Sequence, residues 1–360
     1  MFGENETMAR VVVSRTGDTA RACSVEFATG DGTALQTRDY ILNSGVLNFA
    51  PGETGQTVQL LLVNDAYSEG LEVFNLVLSN PQGAVLGGPN SLTVNLVDDD
   101  SGPPLVNPSD EPQFFVNEHY YDFLSRTPDA GGLDYWMGQI NQCGRDAACR
   151  NAQRINVSAA FFIELEFQET GFVVYRLHRA AFGVRPAPDA TRARVDYLRF
   201  MSDRAQLVGG TDLPASTQAF ALRFVQRAEF LAAYPLALTN AQYVNTLFDM
   251  AGLTDAAFNA ERQAQIDAMN AQGRTRAQVL LNLINLEAFK RREYNPAFVL
   301  MQYFGYLRRN PDQAGYDFWL SILNQQPQNA RGMVCAFVTA QEYQERFSSI
   351  TTHTNNECAP

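Results

Sequence analysis

Eight acidic side chains are placed where they could do chemistry together. Glu4 precedes the first clear strand pattern, Asp39 lies in "RDY", Asp65, Glu69 and Glu72 lie in "NDAYSEGLE", and Asp98, Asp99 and Asp100 close "LTVNLVDDD". Carboxylate oxygens are hard donors, and Ca2+ takes six to eight oxygens of this kind. Acids gathered at one pole repel one another unless a cation sits among them. Acidic loops are also what exposure to water favours. The chemistry therefore turns on whether these eight residues, distant in sequence, meet in space. If they do, the expected ligand is Ca2+, and the eight are its candidate metal ligands.

Such a meeting requires strands whose ends lie together. From residue 8 to 97, segments such as "ARVVVS", "SVEFAT", "GVLNFA", "TVQLLLV", "VFNLVLS" and "SLTVNLV" alternate apolar and polar residues. Gly, Asp, Asn or Pro punctuate them roughly every ten residues. That spacing predicts an all-β sandwich of the immunoglobulin-like kind, with the acids at its strand termini. The Pro-, Ser- and Asp-rich stretch "DDDSGPPLVNPSDEP" then reads as a linker led by the last strand's aspartates. The expected division is a sandwich over 1–100, a linker over 101–112 and an all-α domain over 113–360.

In the last part the apolar period becomes 3.6 and the text repeats. "FVNEHYYDFLSRTPDAGGLDYWMGQI" starts at Phe115 and "FVLMQYFGYLRRNPDQAGYDFWLSIL" at Phe298, with weaker echoes from Phe172 and Tyr243. Units that cannot bury an apolar face alone stack to share a core. In "RTPDAGGLDYW" and "RNPDQAGYDFW", Pro ends one helix, Asp129 or Asp312 can cap the next, and Trp136 or Trp319 can pack back. The aromatic run Tyr120, Tyr121, Phe123, Tyr135 and Trp136 reads as core at helical spacing, with a ligand groove as the alternative.

The net charge of -12 is lopsided: residues 1–112 carry 15 acidic against 4 basic side chains, the remainder 24 against 23. An acidic leading third disfavours nucleic acid and anionic membranes and favours cations. No apolar run is long enough to span a bilayer. The start, "MFGENETMAR", lacks the pattern of a secretory signal and by itself points to the cytosol. The cysteines point outward: Cys143 and Cys149 enclose a short loop, Cys335 and Cys358 bracket the last helix, and both pairs suit disulfides, with Cys23 left over. Together these suggest an exported bacterial protein whose signal lies upstream of this chain. Three scattered histidines, with no nucleophile elbow, zinc-protease helix or phosphate loop, give no catalytic constellation. The acids Glu164, Glu166 and Glu169 read as helix-surface charges.

The segments "DGTALQTRDY", "SGVLNFAPGETGQTVQLLLVNDAYSEGLEVFNLVLSNPQGAVLG" and "LTVNLVDDD" resemble the Calx-beta domain, a sandwich module of sodium/calcium exchangers and bacterial surface proteins. The resemblance covers about residues 4–100. It implies Ca2+ ligation by Glu4, Asp39, Asp65, Glu69, Glu72, Asp98, Asp99 and Asp100. Asn64 replaces the first acid of the family's paired-acid loop, which bears more on a second ion than on the first, and the opening strand is nearly missing, leaving an edge unpaired. The helical region, about 113–347, resembles domain of unknown function 4214, with which no activity travels. The expected whole is a non-enzymatic exported or cell-surface protein: a Ca2+-binding sandwich with a helical scaffold for adhesion or matrix contact, partnered by a surface protein or polysaccharide. The alternative is a carbohydrate-binding accessory protein or hydrolase with its site in the helical domain.

Overall fold

The computed structural model describes residues 1–163, 165–183, 195–208, 212–326 and 329–358. Glu164, and residues 184–194 within the unit that starts at Phe172, lie outside this set. The chain forms two compact units: residues 1–167 with 299–360, and residues 168–298.

The first unit opens with seven strands: β1 (Phe2–Gly3), β2 (Met8–Ser14), β3 (Cys23–Gly30), β4 (Ser44–Phe49), β5 (Gly55–Leu61), β6 (Leu71–Gln82) and β7 (Ser91–Val97). One sheet has the order β1-β7-β6-β3-β4 and the other pairs β2 with β5. All ladders are antiparallel except β1 on β7. The short β1 thus pairs with the β7 edge that the sequence left open, through Phe2↔Leu96 and Gly3↔Val97. Alternation places Ala9, Val58 and Leu60 of one sheet in a single core with Phe49, Phe74, Leu76, Val94 and Leu96 of the other. Tyr40 stacks on Phe74 within that core, ring centroids 4.2 Å apart. The fold is the expected sandwich followed by helices.

The same unit contains two copies of one helical motif. In the first, α1 (Pro112–His119) runs into a π-helical turn over Tyr120–Leu124, then α2 (Ala130–Asn141) and α3 (Ala147–Ile163) follow. In the second, the end of α11 (Glu287–Tyr306) leads to α12 (Gln313–Gln325) and α13 (Ala330–Val338). The turn chemistry repeats. Asp129 Oδ1 accepts from Gly132 N at 2.9 Å, and Asp312 Oδ1 from Gly315 N at 2.8 Å. Arg126 lies over the Tyr120 ring as Arg309 lies over Tyr303, and Trp136 packs on Phe161 as Trp319 does on Phe337. The copies meet where Phe123 lies against Gly305: a Cβ there would overlap the ring, so the close approach requires glycine. Of the aromatic run, Tyr120, Tyr121 and Phe123 are core, whereas Tyr135 is exposed.

After α4 (Leu165–Phe182), the second unit contains α5 (Tyr197–Val208), α6 (Leu213–Phe224), α7 (Ala228–Ala233), α8 (Asn240–Met250), α9 (Asn259–Asn270) and α10 (Arg276–Ile284). Thr239 and Thr275 open α8 and α10 with reciprocal capping boxes to Gln242 and Gln278. Among the described residues, no helix is long and apolar enough to cross a membrane.

Cys143 is bonded to Cys149 and Cys335 to Cys358, while Cys23 is free. Thiol titration of the denatured, unreduced chain should therefore find one reactive group, rising to five after reduction. Five at the outset would contradict both bridges.

Candidate metal centre

Strand register brings the acids together. The pairing Leu71↔Val97 sets Gly70 opposite Asp98, whose amide donates to Gly70 O at 3.2 Å. Gly70 has φ +84°, a left-handed turn that a side chain would strain. The turn aims its amides at Asp98: Oδ2 accepts from Glu69 N at 2.6 Å and Gly70 N at 2.9 Å, and Oδ1 from Asp100 N at 2.6 Å. Beyond β5, the bridge Tyr40↔Leu62 and the bond from Val63 N to Asp39 O, 2.9 Å, lay the Asp39 turn beside the Asp65 loop. Asp39 Oδ2 closes its own turn by accepting from Leu35 N at 2.6 Å, and Asp65 Oδ1 accepts from Tyr67 N at 2.7 Å.

Two groups of three acids result. Glu4 meets Asp98 and Asp100, and Asp39 meets Asp65 and Glu69, each group with carboxylate oxygens all within 4.8 Å of one another. Glu72 hydrogen-bonds to Asp39. Asp99 belongs to neither group, its Oδ2 accepting from Asn5 Nδ2 at 2.9 Å. Asn64, in the position of a missing acid, sets its side-chain amide between Glu4 Oε1 and Asp99 Oδ1, and the amide orientation that satisfies both turns the nitrogen toward them, at 3.2 and 3.0 Å. Asn64 thus supplies a neutral donor between two acids. Arg38 partners Glu69 at 3.5 Å and lies over the Tyr67 ring at 4.9 Å. Asn5 and Arg38 were missed from sequence, although Arg38 adjoins Asp39 and a lone base beside an expected ligand was a usable signal.

Glu4, Asp39 and Asp65 are 3%, 4% and 4% exposed, so three carboxylates are nearly lost to water. Two unit charges at 4.8 Å repel by roughly 3 kcal/mol at an effective dielectric near 20. Protonation relieves this when no cation does. Burial, with Asp65, Asp98, Asp99 and Asp100 nearby, pushes Glu4 up to about 9. Burial pushes Asp65 to about 8, opposed by its bond from Tyr67 and supported by Glu69. Burial and the proton shared with Glu72 push Asp39 to about 7. Glu69, Glu72 and Asp100 are also raised, mainly by burial. Asp98 is the exception: burial works against its charge, yet three backbone donors outweigh it and hold the carboxyl low.

The donor set fits a hard divalent cation. Asp65 Oδ2 is buried and has no hydrogen-bond partner among the described residues, a costly state for a carboxylate oxygen unless something electropositive faces it. Ionised carboxylates from four chain segments, with no sulfur or imidazole among them, suit Ca2+ and not a soft metal.

Residues 2–100 match the Calx-beta domain. All eight acids fall within this segment. Residues 106–169 and 287–347 match a domain of unknown function, DUF4214, ranges that take in the two helical copies. The Calx-beta segment is similar to the sodium/calcium exchanger Calx of Drosophila melanogaster, 38% identical over 98 residues. The chain is also similar to extracellular matrix protein 3 of Lytechinus variegatus, 36% identical over 137 residues. These alignments take in 27% and 36% of this chain but only 10% and 4% of those proteins. Among solved structures, the apo-form Calx CBD1 domain is 37% identical, with a TM-score of 0.27, covering 27% of this chain and 88% of that one.

The raised carboxyls fix a pH dependence. Unfolded carboxylates ionise near pH 4, so between about pH 4 and 9 the folded, metal-free Calx-beta segment keeps protons that the unfolded chain has released. That stability is fully present below about pH 4 and is lost as pH rises through the folded values near 7, 8 and 9. In chelator, the denaturation midpoint should fall between about pH 5 and 9. Saturating Ca2+ should abolish the fall and release protons on binding near pH 7. A midpoint that rises with pH in chelator would contradict this.

Proposed function

We propose that this chain binds Ca2+ at the acidic pole of its Calx-beta segment and acts as a non-catalytic structural or adhesive element outside the cell, with Ca2+ stiffening the junction at Asp98–Asp100. The observation that carries this reading is the convergence of Glu4, Asp39, Asp65, Glu69, Asp98 and Asp100 into two groups with oxygens within 4.8 Å. Ca2+ supplies the positive charge that lets these carboxylates ionise together. The chain's contribution is to hold them: the Gly70 turn orients Asp98, the Leu35–Asp39 turn orients Asp39, and Glu72 hydrogen-bonds to Asp39. The exchanger and matrix-protein likenesses support a calcium-binding domain, and the two disulfides support an oxidising compartment.

Calorimetric titration with Ca2+ tests the reading. The unaltered chain should bind with measurable heat. Asp98→Ala and Asp65→Ala should weaken binding by more than about tenfold, and Glu72→Ala by about tenfold through its support of Asp39. No heat above dilution at millimolar Ca2+ would reject the reading.

A second reading rests on the unit of residues 168–298. There a cleft of about 490 Å3 mixes polar Thr217, Gln218, Gln278 and Asn282 with apolar Val173, Leu213 and Leu281, a lining that offers hydrogen bonds beside apolar surface, as a saccharide uses. Glu169 is the single carboxylate among its described lining residues, whereas glycoside hydrolysis uses two; the cleft favours a sugar binder over a hydrolase. A glycan array on the full chain, with Arg274→Ala and Asn282→Ala as comparisons, distinguishes it.

A further inference from the structure

The turn that carries Asp39 is gripped by a residue from the helical motif. Arg308 Nη1 donates to Gln36 O at 3.1 Å and Tyr40 O at 3.5 Å, on either side of Asp39. The same guanidinium donates from Nε to Asp122 Oδ1 at 2.9 Å, and its Nη2 lies 3.4 Å from Glu118 Oε2. Arg346 completes the cluster, donating to Asp122 Oδ2 at 2.7 Å and to Tyr306 O at 2.9 Å. All four residues are at most 5% exposed. With two guanidinium and two carboxylate groups the cluster can be neutral, so Arg308 works on the Asp39 turn through directed hydrogen bonds and not as a stray charge.

Arg308 has φ +47°, a left-handed conformation that costs an L residue and persists where surroundings enforce it. Ser125 holds the equivalent place in the first copy, with φ 52°. The second cation-site loop is held from the helices as well: Ala66 N donates to Phe347 O at 2.9 Å, and Tyr67 Oη to Glu345 O at 2.9 Å. The loop bearing Asp65 and the turn bearing Asp39 are therefore both fastened to the segment 305–347, and Phe347 stands one residue from Arg346.

We propose that Arg308 is a positioning residue of the cation site, through which the helical motif sets the spacing of Asp39 and Asp65 and hence the affinity for Ca2+. This rests on the Ca2+ reading above. Removing groups that orient metal ligands lowers metal affinity by about 10–100-fold. By linkage the coupling is reciprocal, so Ca2+ tightens the buried ion cluster by the same factor.

The test compares Ca2+ affinity of the full chain with that of Arg308→Met and Arg308→Lys, using Asp129→Ala, which removes a helix cap in the first copy, as a destabilised control. Arg308→Met should lose about tenfold or more in affinity. Arg308→Lys, which keeps the charge but cannot span both carbonyls and both acids, should lose nearly as much. Asp129→Ala should lower the melting temperature while leaving affinity within about twofold. Affinity unchanged in both Arg308 variants, or reduced equally by Asp129→Ala, would overturn the proposal. Absence of Ca2+ binding by the unaltered chain would instead remove the reading beneath it. Because an Arg308 variant can fail to fold, hydrogen exchange on the unaltered chain gives an independent measure. Ca2+ should slow exchange in peptides spanning 116–124, 303–309 and 343–348; protection confined to residues 1–100 would overturn the proposal.

Discussion

Mutual repulsion among buried carboxylates is the constraint to which the first unit is built. Glu4, Asp39 and Asp65 have lost nearly all contact with water, and each lies near further acids. Buried like charges persist only if they are neutralised or compensated. The surrounding structure accepts this arrangement where it could have avoided it. Backbone amides are directed at Asp98, Asn64 separates two acids with a neutral amide, and Asp65 keeps one oxygen without a donor among the described residues. A sandwich selected for stability alone would put apolar or hydrated residues in these places.

The pole is also where sandwich and helices join. Arg308 and Arg346 answer the two buried acids of α1 and its π-helical turn, and Arg308 extends that answer to the backbone around Asp39. A buried ion cluster of this kind contributes little net stability compared with an apolar contact of the same shape, but losing one member leaves an uncompensated charge. It therefore enforces one geometry at the junction more than it strengthens it. Within the helical motifs beside it, the hydrophobic contribution comes from Phe114 against Phe347 and from the Phe123, Phe161 and Tyr306 rings.

Much of this was legible in the sequence where the signal is local or periodic. Strand alternation, the Pro–Asp turns with their returning tryptophans, the two cysteine pairs and the strand-end acids each announce themselves within a few residues. The part that was not legible is long-range. Nothing in "YLRRNPD" separates Arg308, buried beside a turn about 270 residues earlier, from Arg309, which pairs on the surface with Glu342. Their neighbours are the same, and only backbone handedness sends one side chain inward. Asn64 read as a departure from a family pattern, and only its neighbours show it bridging Glu4 and Asp99. Tyr135 shows the converse failure, since helical spacing placed it with the core while the outer face of α2 leaves it exposed.

The first unit is discontinuous: residues 1–167 are completed by 299–360, with a separate unit between them. During vectorial synthesis the sandwich and the first helical copy leave the ribosome well before their partner copy exists. At that stage Glu118 and Asp122 have neither arginine, and Phe123 has no Gly305 to cover it. A half-built module with two unpaired acids and an uncovered aromatic face is poorly suited to docking early, so closure is deferred until the chain's final sixth arrives. The intervening residues 168–298 form a compact unit of their own and can fold meanwhile, so the first unit is the one that closes last.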